Sequence, residues 1–170
     1  RERASRLDAD EALKTLASMR DEELLQAHYA EQNVRLGERM LTCRSESALA
    51  EAYAHALHRS LDLPAVVVVT ADGAVLGRHP IEETHEHFTP SGSLTDAVEQ
   101  GQKLVPRDDV GELPDGIAAL PFEYLKVQKL NIPDERLAVV LCGSVEQLKR
   151  SSSVSAIDSA TAMLETAIVR

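Results

Sequence analysis

The sequence predicts an α/β domain, an antiparallel sheet set between long helices, and three observations predict it. The run Leu63-Pro64-Ala65-Val66-Val67-Val68-Val69-Thr70 is followed at once by Ala71-Asp72-Gly73-Ala74 and then by Val75-Leu76-Gly77-Arg78. Four consecutive valines are stiff at χ1 and favour a strand, and with no polar alternate they call for a strand covered on both faces. Asp-Gly between two apolar runs signals a hairpin, because a type I′ turn needs φ > 0 at both central residues. A second fully apolar run, Leu137-Ala138-Val139-Val140-Leu141-Cys142-Gly143, supplies another buried strand, and the stretches at either end of the chain have helix composition.

The elements follow in order. Residues 7–41 hold no proline, and no glycine before Gly37, and they are rich in Ala, Leu, Glu and Arg. Asp8, Asp10 and Glu11 place negative charge where a helix start favours it. Two apolar stripes run along this helix: Leu13, Leu16, Leu24, Ala27, Val34 and Leu41 on one face, and Leu25, Tyr29, Leu36 and Met40 on another. A fresh start at Asp21, Glu22 and Glu23 would split it in two. Ser45 caps a second helix, carrying Leu49, Tyr53, Ala56, Leu57 and Leu61 and stopped by Pro64. Beyond the hairpin, residues 79–92 read as a polar loop or short helix. Another helix bears Leu94, Ala97 and Val98, with Gly101 at its end. Lys103-Leu104-Val105-Pro106 is an edge strand, residues 108–116 a turn-rich loop, and residues 117–127 the next strand. Asn131, Pro133 and Asp134 make a hairpin connection. After the second apolar run, residues 145–148 form a turn of helix. Ser151, Ser152 and Ser153 act as cap and linker to a last helix bearing Ile157, Ala160, Met163 or Leu164, and Ala167 or Ile168.

Composition excludes several roles. With 18 Lys and Arg against 28 Asp and Glu, the net charge of −10 leaves no basic patch for nucleic acid. The apolar runs are far shorter than the ~20 residues of a membrane span. Cys43 and Cys142 match neither a metal-ligand spacing nor a disulfide framework, and they read as reduced thiols of a cytoplasmic protein. One domain, residues 42–170, preceded by a helical extension, residues 1–41, is the expected organisation. A first residue Arg1 and an end inside a helical pattern at Arg170 read as a fragment of a longer chain.

The order of elements resembles the GAF fold, a sensory relative of PAS domains. The resemblance is carried by LPAVVVVTADGAVLG after a helix, by SGSLTDAVEQGQKLVPRDD, by IAALPFEYL, and by RLAVVLCGS followed by SAIDSATAMLETAIV, over about residues 45–169. It implies a non-enzymatic regulatory domain of bacterial signal transduction or transcription regulation. Such a domain binds a small molecule between sheet and loops, and dimerises through its N- and C-terminal helices. Two alternatives stand beside it: a degenerate GAF domain serving as dimerisation or docking scaffold, and a metal- or haem-bearing sensor. The cysteines do not match the bilin-binding or methionine sulfoxide reductase patterns, and the cyclic-nucleotide pattern is absent. No cofactor is expected.

The candidate ligand-binding residues are His79, His85, His87, Arg107, Glu123 and Tyr124. Arg107 could fork onto a carboxylate or phosphate, or pair with Asp108 or Asp109 at the strand end. The segment containing His79, Glu82, Glu83, His85, Glu86 and His87 carries imidazoles and carboxylates suited to a divalent ion, yet on a helix His85 and His87 would diverge. A solvated loop without a bound metal is the expectation, with the imidazoles of His85 and His87 exposed. His55 and His58, three apart on the second helix, need no function. A cavity of a few hundred Å³ is expected on the sheet face away from the terminal helices, roofed by residues 79–92 and 108–116.

Overall fold

The computed structural model describes residues 2–70, 74–79, 102–109, 115–133 and 137–170. Its elements are α1 (Glu2–Thr42), α2 (Glu46–Leu61), β1 (Ala65–Thr70), β2 (Val75–His79) and β3 (Gln102–Pro106). A 3₁₀ turn (Arg107–Asp109), α3 (Asp115–Ala118), β4 (Tyr124–Lys129), β5 (Leu137–Gly143), α4 (Val145–Lys149) and α5 (Ser151–Val169) complete them. The five strands form one sheet in the order β2-β1-β5-β4-β3, every neighbouring pair antiparallel. The predicted hairpin is present, with Val66 opposite His79 and Val67 opposite Arg78.

Both faces of β1 and β5 are buried, as their unbroken apolar runs require. Val66, Val68, Leu137, Val139 and Leu141 meet a helical layer built from Tyr53, Leu57, Ile157, Ala160 and Leu164. Ala65, Val67, Val69, Ala138, Val140 and Cys142 turn the other way, sharing that face with Val105, Leu125 and Val127 of the neighbouring strands and packing with Ile117 and Phe122. Inside the helical layer the Tyr53 hydroxyl lies 2.8 Å from Thr161 Oγ1. Thr161 itself donates to the Ile157 carbonyl, so the tyrosine is the donor of the pair. Burial lifts the Tyr53 phenol far above its ordinary pKa, and it stays neutral.

Ser45 caps α2 by accepting from the Ala48 amide, and Asp62 ends it in the left-handed region at φ 54°. Two expectations need correction. Of residues 117–127 only the part from Tyr124 is strand; Ile117 and Ala118 belong to α3, and Pro121, which cannot donate to a ladder, stands between. The serine run is no linker either. Ser144 and Gln147 close a capping box on α4, and α5 already begins at Ser151, with Ser152 and Ser153 buried.

α1 is a single helix, unbroken at Asp21. It runs parallel to α5: Glu22 meets Arg150 at 2.9 Å, Asn33 donates to the Ala156 carbonyl, and Gly37 lies against Met163. Ser152 and Arg150 together hold the Glu22 carboxyl below its usual pKa. At about 100° per residue the two apolar stripes fall on nearly opposite sides of the helix. Leu36 and Met40 of one stripe are buried against α2 and α5, with Tyr29 partly so. Leu13, Leu16, Leu24, Val34 and Leu41 of the other are between 62 and 74% exposed. From Arg6 to Asp21 every residue of α1 is exposed, so this half of the helix stands clear of its own domain.

Candidate functional site

The sheet face opposite the helices is the candidate floor of a binding site. Its described residues are Val67, Val140, Cys142, Leu125 and Val127, with Arg78 entering from the edge strand opposite Val67 and buried there. Cys142 is no nucleophile, because burial pushes its thiol up to about 12 and it stays protonated. Residues 117–122 fold over the β4 end of this face, where Ile117 and Phe122 are buried.

Arg107 holds that cover in place. Its guanidinium donates to the Leu120 carbonyl at 2.6 Å, to the Phe122 carbonyl at 3.4 Å and to the Ala118 carbonyl, and it lies 4.3 Å from the centre of the Phe122 ring. The forked donor that could clamp an anion is directed at backbone oxygens, a structural task that the sequence does not reveal. Replacing Arg107 by alanine would leave these carbonyls unpaired, at a cost of about 2 kcal/mol in urea unfolding. Lysine, which cannot fork, is expected to recover less than half of the loss.

The other face takes two of the six candidates. Tyr124 is half-buried against the helical layer, not on the opposite face. Its neighbour but one, Lys126, is 5% exposed on β4, and the cost of burying its charge lowers its pKa, against the pull of Asp158 from α5. His79 also turns toward the helices. Its ring centre lies 4.9 Å from that of His55 and 4.2 Å from that of His58, both on α2. The His55 and His79 Nδ1 atoms are 3.4 Å apart, and His58 donates from Nδ1 to the Leu63 carbonyl at 2.6 Å. Glu123 is exposed, and His85 and His87 lie outside the described residues. The described candidates are thus divided: His79 and Tyr124 on the helical side, Arg107 on the other. Sequence reasoning misses the grouping of His79 with His55 and His58, because it depends on how α2 lies across β2.

A third feature is an open groove of about 770 Å³ where the C-terminal ends of α1 and α5 meet the start of α2. Met40, Leu49, Met163 and Ile168 line it, with Arg44 at its edge, and Leu41 joins it to the exposed stripe of α1. Among the described residues no three metal-ligating side chains are arranged to hold an ion, and no helix is long and apolar enough to cross a membrane.

No family model matches the sequence, and no curated protein matches it. Solved structures do match the fold. The GAF domain of an Acinetobacter phosphoenolpyruvate-protein phosphotransferase superposes with a TM-score of 0.62 at 8% identity, over 82% of this chain and 91% of that one. Residues 122 to 287 of a methyl-accepting chemotaxis protein give 0.61 at 16% identity, over 82% and 97%. The phycoerythrobilin-bound GAF domain of a cyanobacterial phytochrome gives 0.56 at 13%, over 83% and 94%. The fold is GAF-like, as the order of elements implied.

Proposed function

We propose that the chain is a non-enzymatic sensory or regulatory domain of a bacterial regulatory protein, acting in the cytoplasm as a homodimer. Its two parallel helices, α1 and α5, carry the signal. The observation behind this reading is the exposed stripe of α1, since a helix with apolar residues on opposite sides needs two covers and its own domain supplies one. Structural neighbours from a chemotaxis protein and a phytochrome support a sensory role. The five exposed stripe residues are each worth roughly 1.5–3 kcal/mol when fully buried. Two copies together therefore exceed much of the ~4–15 kcal/mol cost of association. Light scattering is expected to give the dimer mass at ~100 μM, and a monomer there would remove the ground for this reading.

The small-molecule ligand belongs, in this reading, on the sheet face opposite the helices, beside Arg78. A second reading, a docking or dimerisation scaffold that binds nothing small, is favoured by one observation: Ile117 and Phe122 already fill the β4 end of that face. Native mass spectrometry of the purified chain separates the two. Excess mass that survives gentle ionisation supports a ligand domain, and a bare polypeptide mass supports the scaffold.

A further inference from the structure

We propose that His55, His58 and His79 form a proton-responsive junction, which holds α2 to the edge strand β2 when neutral and loosens on acidification. Three imidazoles from two elements meet here, and the contact between His55 and His79 depends on their protonation state. His55 and His79 share an Nδ1-to-Nδ1 contact of 3.4 Å, which is a hydrogen bond only when one ring donates and the other keeps its lone pair. His58 has its Nδ1 proton fixed by the Leu63 carbonyl. Its ring, 4.2 Å from that of His79, would carry its charge directly beside the pair.

Among the described residues, the charges that bear on the pair have one sign. From α1, Arg39 bears on His55; from α2, Arg59 and His58 do so; on β2, His79 feels both α2 histidines. Desolvation first, and these cations after it, lower the pKa of His55 and His79. A cluster flanked by two arginines suits a proton balance better than a bound cation, and no third donor converges with the pair to complete a metal site among the described residues.

The consequence follows from the sign. The folded protein holds these two histidines neutral more strongly than the unfolded chain does, so in the window below the ordinary histidine value, near 6.5, the unfolded state binds more protons. Stability is full above that value and falls as the pH drops toward the folded-state pKa values. The first effect of acid is local. Charging His55 and His79 breaks their shared hydrogen bond and sets α2 against Arg39 of α1, so the change reaches the helix that bears the exposed stripe.

The test uses the full 170-residue chain. Histidine ring signals followed by NMR from about pH 8 to 5, assigned with His55→Gln and His79→Gln, are expected to give both residues midpoints below about 6.5, and Arg39→Gln should raise that of His55. The melting temperature should fall between about pH 7.5 and 5.5, and the fall should shrink in the double glutamine variant. Midpoints at or above about 6.5 in the unaltered chain would overturn the proposal even if the variants fail to fold. So would melting profiles that run parallel for the unaltered chain and the double variant.

Discussion

Gly77→Val is expected to cost at least about 3 kcal/mol and to lower the melting temperature by about 10 °C or abolish cooperative folding. A Cβ at this position would lie 2.6 Å from the Glu51 backbone nitrogen and 2.7 Å from the Ala50 carbonyl carbon and Cβ. Those atoms belong to the α2 backbone and its shortest side chain, so no rotamer change relieves the clash and the whole helix must lift from β2. Lifting it would also strip cover from the inner side of the hairpin and part the histidines that bridge the two elements. Gly37→Ala is the control. Its added Cβ meets only Met163 Cε, at 2.9 Å, the tip of a flexible side chain. There the gain in helix propensity, up to about 1 kcal/mol, should leave stability equal or higher. Chemical denaturation of both variants decides the matter, and equal losses at the two glycines would mean that α2 does not lie on β2 as closely as described.

Gly77 also marks where the sequence stops being legible. The hairpin is readable because Val66 to Val69, Asp72-Gly73 and Val75 state strand, turn and strand within a short span of chain. The helices are readable from period alone, and the two stripes of α1 fall on the faces that the structure buries and exposes. What cannot be read is what one element does to another. Nothing near Gly77 in the chain says that the backbone of Ala50 passes over it. Proximity in sequence groups His79 with His85 and His87, whereas its described partners, His55 and His58, sit on α2. Ser152 and Ser153 look like linker because their composition is that of a loop, whereas they are buried in the first turn of α5, just after Arg150, which reaches Glu22 far away in the chain. Arg107 looks like an anion clamp for the same reason, its true acceptors being three carbonyls of a segment that the sequence reads as strand.

Replacing Leu16, Leu24 and Val34 together by glutamate is expected to convert a dimer at ~100 μM into a monomer, weakening association by more than about a thousandfold. Each of the three is at least 62% exposed in the protomer, so the substitutions disturb no packing within it and the core transition should move by less than about 0.5 kcal/mol per site. Glutamate is also a good helix former, so propensity is kept while the stripe becomes charged. The effect must come from the interface, where three carboxylates per copy would face their equals across a two-fold axis. A second readout follows from the free half of α1. Residues 6–21 are exposed throughout, and a helix of that length is marginal in water without a partner to bury its stripe. Circular dichroism should therefore show the variant losing helix over about a tenth of the chain, while the unaltered protein loses it only on dilution below its dissociation constant. Leu36→Ala provides the contrast: buried on the other stripe, it should cost about 2–5 kcal/mol of domain stability without directly altering the dimer face. A triple variant that remains dimeric with its helix content intact would move the contact between copies off this stripe, to the groove between the ends of α1 and α5 or elsewhere.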